Sequence, residues 1–239
     1  MRAWLLALAL LLLPTRVGAQ AELIELGDGA FAYVPPNTSG APAPLLVLLH
    51  GNGDSARGMI ASFRPHAERR GIVLLAPRPY ARTWDTIYQV TGGTRRSNNR
   101  GRAGASIDPP RIQAALEALA ARTPIDRGRI GLAGFSDGAS YALSLGLLNP
   151  DLFPAVLVFS PGMAFLPREA RPGQRLFLAH GRGDSILPFR VSAQLEPQLR
   201  ERGLIVAFRR FEGDHVLLDP IVGEGVDWFM DGEEGAAIQ

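Results

Sequence analysis

Ile130 to Leu147 reads IGLAGFSDGASYALSLGL: a short apolar run, a serine flanked by glycines, then a segment of small residues. Ile130-Ala133 has the length and continuous hydrophobicity of a strand buried on both faces of a parallel sheet. Ala139-Leu148, directly after the glycine turn, reads as a helix. Working outward, similar apolar runs recur at Leu45-Leu49, Ile72-Ala76, Ala155-Phe159, Leu176-Ala179 and Leu204-Phe208. Between them lie helical segments at Ser55-Arg70, Pro109-Ala121, Val191-Arg202 and Pro220-Met230, two of them opening on proline. Ahead of all this, Leu23-Leu26 and Ala30-Val34 flank Gly27-Asp28-Gly29, the signature of a hairpin. Strands alternating with helices make βαβ units. The pattern predicts one α/β domain with a mostly parallel eight-stranded sheet, flanked by helices and without a large cap domain.

The ends and the composition bound what such a domain can be. Arg2 precedes an unbroken apolar run, Trp4 to Leu13, and Pro14 to Ala21 ends in small residues. That is the pattern of a cleavable export signal, with Val17-Gly18-Ala19 as the recognition triplet. A run of ten residues is short of the roughly 20 a membrane span needs. The expectation is a signal peptide over 1–19 and a mature domain over 20–239, periplasmic or secreted, without stable membrane insertion. Taking Arg2 and Arg16 from the 25 basic residues leaves 23, equal to the 23 acidic ones, so no net positive charge points to nucleic acid. Every basic residue is arginine. The absence of cysteine excludes a thiol nucleophile and cysteine-ligated zinc. Thr91 to Ser106 is polar and glycine-rich, too long for a routine connection; it reads as a solvated loop or as a flap beside a site.

Gly134-Phe135-Ser136-Asp137-Gly138 matches G-x-S-x-G between a strand and a helix. Such a turn holds the serine in a strained conformation above the sheet, over a helix N-terminus whose N–H groups stabilise negative charge. A serine hydroxyl needs a base within hydrogen-bond reach. Of the four histidines, His50 and His66 precede Ser136, and His66 reads as a surface helix position. In chain order the acid and then the histidine follow the serine. His215, in the loop after the last strand, is therefore the base. His180 ends the preceding strand and leads into Gly181-Arg182-Gly183-Asp184, whose Asp184 is the orienting acid. Asp214 is the rival, but adjacent side chains in an extended segment diverge. The backbone N–H groups of Asn52, in His50-Gly51-Asn52-Gly53, and of Asp137 are placed to form an oxyanion hole. Trp84, Asp85 and Tyr88 are candidates for a substrate pocket.

Taken together, LHGNGD (49–54), GFSDGASYALSLGL (134–147), FSPGM (159–163), HGRGDSILP (180–188) and FEGDHV (211–216) resemble, in order and spacing, the phospholipase/carboxylesterase branch of the α/β-hydrolases. That group includes acyl-protein thioesterases, and the chain is also similar to secreted esterases related to polyhydroxybutyrate depolymerases. The resemblance implies hydrolysis of an ester or thioester through an acyl-enzyme, with a small-molecule ester as partner and neither metal nor organic cofactor. Aspartate rather than glutamine follows the serine here, which leaves the backbone N–H in place but puts a carboxylate near the oxyanion. Rival readings are a depolymerase or peptidase of the same fold, or a silent binding protein on a hydrolase scaffold.

Overall fold

A computed structural model describes residues 22–38, 40–85, 87 and 106–232. The segment read as a signal, Tyr88 and residues 91–105 of the polar loop lie outside the described residues. The strands are β1 (Glu22–Gly27), β2 (Ala30–Val34), β3 (Ala43–Leu49), β4 (Val73–Ala76), β5 (Ile125–Phe135), β6 (Ala155–Phe159), β7 (Arg175–Gly181) and β8 (Ile205–Phe211). They form one sheet in the order β1-β2-β4-β3-β5-β6-β7-β8. β1 and β2 pair antiparallel as the leading hairpin, β2 pairs antiparallel with β4, and every later pairing is parallel. The described helices are α1 (Ala56–Arg70), α2 (Asp108–Ala120), α3 (Asp137–Leu148), α4 (Arg190–Glu201) and α5 (Asp219–Asp231).

The continuous apolar runs are explained by a period of two read onto two faces. Leu45, Val47 and Leu49 of β3 belong to the cluster on one face of the sheet that includes Ile112 and Leu119 of α2, Leu143 of α3 and Leu199 of α4. Leu46 and Leu48 of the same strand belong to the cluster on the other face, with Met59 and Phe63 of α1 and Val226 and Trp228 of α5. A strand covered on both sides buries every side chain, each large aliphatic residue contributing roughly 1.5–3 kcal/mol of transfer free energy.

β5 runs from Ile125, five residues ahead of the apolar run that announced it. Asp126 to Arg129 is polar and partly exposed, so its strand character is invisible to hydrophobic pattern; Ala43 nevertheless pairs with Ile125 across an irregular register. The carboxyl ends of β3, β5, β7 and β8 meet on one side of the sheet, where every candidate site residue lies that the structure describes.

Candidate active site

Ser136 links the last residue of β5 to the first of α3 and has φ 57° and ψ −122°. A non-glycine residue in this region carries about 1–3 kcal/mol of strain. The surroundings hold it there. Its N–H donates to the Phe159 carbonyl at 3.0 Å, and its carbonyl accepts from the Ser140 N–H at 3.0 Å. The two flanking glycines are required by close approach. A Cβ on Gly134 would lie 2.2 Å from the Gly138 carbonyl oxygen, and one on Gly138 would lie 2.0 Å from the Leu49 carbonyl oxygen.

His215 lies in the loop after β8 and reaches back to the serine. Its Nε2 is 2.9 Å from Ser136 Oγ, and its Nδ1 is 2.7 Å from Asp184 Oδ2. A carboxylate only accepts, so Nδ1 carries the proton and Nε2 is left to accept from the hydroxyl. The imidazole lies over the Phe135 ring, with centroids 4.9 Å apart. Asp184 has no exposed side-chain surface. Burial by itself would push its carboxyl up. The hydrogen bond from His215 and the N–H groups of Leu187 (2.7 Å) and Ile186 (3.0 Å) outweigh that and hold it below the ordinary aspartate range.

Behind the acid stands His180, a position that sequence reasoning passed over because its strand end was reserved for Asp184. It is fully buried, and that burial pushes its pKa down. Nε2 donates to the Leu187 carbonyl at 2.8 Å and lies 3.2 Å from Asp184 Oδ2, while Nδ1 accepts from the Ser192 hydroxyl at 2.6 Å. A neutral ring in a defined tautomer thus braces the same carboxylate oxygen that His215 engages. The signal was present as the four-residue spacing in HGRGD. Asp214, the rival acid, is turned away: its Oδ1 accepts from Ser185 N–H, Ser185 Oγ and the His215 N–H, tying the two loops together.

The loop after β3 closes the other side. Asp54 N–H donates to the Gly51 carbonyl at 3.2 Å, making a turn with exposed Asn52 at its second position. A Cβ on Gly51 would sit 3.1 Å from Ser136 Cβ, so the turn passes directly beside the serine. Asp137 is the first residue of α3, where a helix leaves its N–H without an intrahelical partner. Its carboxylate accepts from Thr83 Oγ1 at 2.8 Å, a contact the sequence did not suggest. His50 is buried, its Nδ1 2.8 Å from the Gly51 carbonyl oxygen.

Trp84, Asp85 and His66 take structural roles here. Trp84 is fully buried, donates from its indole N–H to the His50 carbonyl at 2.9 Å and stacks on Tyr141. Buried there, it supports the loop after β3 and presents no exposed surface. Asp85 instead caps α2, its Oδ2 accepting from Ile107 N–H at 2.7 Å and from Asp108 N–H at 3.2 Å. His66 is buried, with Nε2 2.8 Å from Asp219 Oδ1, because α5 packs over that face of α1.

The model of the family described as Phospholipase/Carboxylesterase matches residues 36–219. The chain belongs to that family. The matched segment contains Ser136, Asp184 and His215 in that order. The chain is 28% identical over 167 residues to the putative esterase NocK of Nocardia uniformis subsp. tsuyamanensis, a match covering 66% of this chain and 46% of that protein. It thus spans about half the length of that curated relative. Among solved structures, esterase PE8 superposes with a TM-score of 0.62 at 27% identity, over 80% of this chain and 93% of that one. The Bacillus cereus carboxylesterase superposes with a TM-score of 0.56 at 22% identity, over 84% and 92%. The fold of this family member is the α/β-hydrolase fold.

Proposed function

We propose that the chain is a serine carboxylic-ester hydrolase acting through an acyl-enzyme on small to medium soluble esters or thioesters. The observation that carries this reading is the continuous line from Ser136 Oγ through His215 to a buried Asp184, at 2.9 and 2.7 Å. Ser136 Oγ attacks the carbonyl carbon while its proton passes to His215 Nε2. The oxyanion so formed is held by the N–H groups of Asn52 and Asp137. His215 returns the proton to the leaving oxygen or sulfur as the bond to the acyl carbon breaks. Water then attacks the acyl-Ser136 ester, giving its proton to His215, and the acid departs as Ser136 Oγ is reprotonated. Asp184 stays ionised throughout and stabilises the imidazolium. The leader-like residues 1–19 support action outside the cytoplasm.

The test is hydrolysis of 4-nitrophenyl esters, acetate to palmitate, by purified protein and by its Ser136→Ala variant. Serine-dependent turnover peaking at short chains is expected. A folded protein inactive across the series, or an equally active Ser136→Ala variant, overturns the assignment.

A further inference from the structure

A cavity of about 680 Å³ opens beside the loop that carries Asn52, between that loop, the β1–β2 hairpin and the segment after β4. His50 and Gly53, on either side of Gly51-Asn52, are among its lining residues. Its walls carry Arg57, Arg78 and Arg82, and none of the three has a carboxylate partner among the described residues. Some arginines elsewhere on the surface are matched, as Arg64 is to Glu68 and Arg209 to Glu224, and others, such as Arg122, Arg127 and Arg190, have no carboxylate partner among the described residues; what sets these three apart is that they converge on one concavity.

These side chains are held without being neutralised. The Arg57 guanidinium lies over the Phe31 ring, 4.0 Å from its centroid. The stem of Arg78 occupies the space over Gly29, where a Cβ would meet its Cδ at 2.7 Å. Arg82 Nη2 lies 3.7 Å from the position of a Cβ on Gly53, one residue past Asn52. Asp54, the acid on the cavity wall, bonds the Ser55 N–H at 2.7 Å. Asp137, next to the nucleophile, is engaged by Thr83. Guanidinium groups recognise planar oxyanions through paired N–H donors, and they do so best in a concave site that concentrates their field. The volume suits a small-molecule fragment, for which pockets run roughly 300–1,000 Å³.

We infer that this cavity is a specificity subsite for a carboxylate or phosphate on the substrate, so that the preferred ester carries an anionic group on the arm directed past Asn52. The inference rests on the ester-hydrolase reading for its place in turnover, but the anion site itself is testable without turnover.

The kinetic arm compares 4-nitrophenyl hemisuccinate with 4-nitrophenyl methyl succinate, which place charge or its neutral ester on the acyl side. In parallel, 4-acetoxybenzoate is compared with its methyl ester, which places charge on the leaving side. One of these charged-over-neutral ratios of kcat/KM is expected to exceed unity by about tenfold and to collapse in Arg57→Gln/Arg82→Gln; tenfold is one charge-assisted contact, about 1.4 kcal/mol. The same ratio should persist in Arg171→Gln, on the far surface. The binding arm titrates succinate and inorganic phosphate into Ser136→Ala by calorimetry, with and without the two arginine substitutions. If no ester is cleaved yet an anion binds in an arginine-dependent way, the subsite stands and the hydrolase reading falls. If esters are cleaved with no preference for charge on either arm, or the arginine substitutions leave the ratio intact, the subsite is overturned. Absence of both turnover and arginine-dependent binding overturns both.

Discussion

The two sides of Ser136 are built on opposite principles. On the side of β7 and β8, each ionisable group of the Asp184–His215 pair is satisfied, and His180 and Asp214 brace the loops that carry them. On the side of β3, guanidinium groups without carboxylate partners among the described residues line an open cavity, two of them held by an aromatic ring and a packed stem. A satisfied network in a low-dielectric setting is rigid and defines one proton path. Unmatched charge around a concavity is what a protein presents to something that arrives from solution. On the proposed reading, the difference separates the part of the site that does the chemistry from the part that chooses the substrate.

Substitutions can break this contrast at graded points. The largest effect is expected for Ser136→Ala, a fall in kcat of about 10⁶-fold with the unfolding midpoint retained or raised, since alanine removes only the hydroxyl. Asp184→Asn is expected to lower kcat by about 10⁴-fold, because the amide neither selects the His215 tautomer nor stabilises its cation. The same change reports on stability. Asp184 is held below its ordinary range when folded, so in the window between the two values the unfolded chain binds more protons. Its contribution is therefore complete above the ordinary aspartate value and drains as pH falls through the depressed one. Urea midpoints measured from about pH 7 to 3 should show a shallower acid-side decline in Asp184→Asn than in the parent chain.

Next in size is Gly138→Ala, which forces a methyl group to within 2.0 Å of the Leu49 carbonyl oxygen, where backbone must move. A loss of about 3 kcal/mol in denaturant unfolding is expected, with activity falling because the turn carrying Ser136 shifts. The smallest effect is expected for Thr83→Val, which removes the hydrogen bond to Asp137 Oδ2 while keeping the shape. A drop of about two- to fivefold in kcat/KM is the expected result, larger for anionic than for neutral esters once the freed carboxylate is able to repel them. An equal drop for both would show that Thr83 serves only the packing of its loop.

Much of this is legible in the sequence. Continuous apolar runs can be buried only between two helical layers, so the parallel sheet followed from Leu45-Leu49 and its counterparts. Glycines two residues either side of Ser136 announced the sharp turn, and the chain order of Ser136, Asp184 and His215 left few alternatives. What escaped was of another kind. The polar start of β5 pairs without contributing to the core, so no hydrophobic pattern marks it. Trp84 reads equally as a pocket wall or as packing, since an aromatic residue in a loop suits either. His66 reads as surface because its cover, α5, lies more than 150 residues away in the chain.

The sequence by itself determined the layers, the serine turn and the family, because each rests on local pattern: periodicity within a strand, steric allowance at a turn, motifs in fixed order. Only the tertiary structure decided that His180 stands behind Asp184, that Thr83 holds Asp137, and that Arg57, Arg78 and Arg82 face one cavity. The physical reason is that contacts between segments distant in the chain depend on how the sheet orders its strands and where loops meet at their carboxyl ends. No spacing within a single segment carries that information.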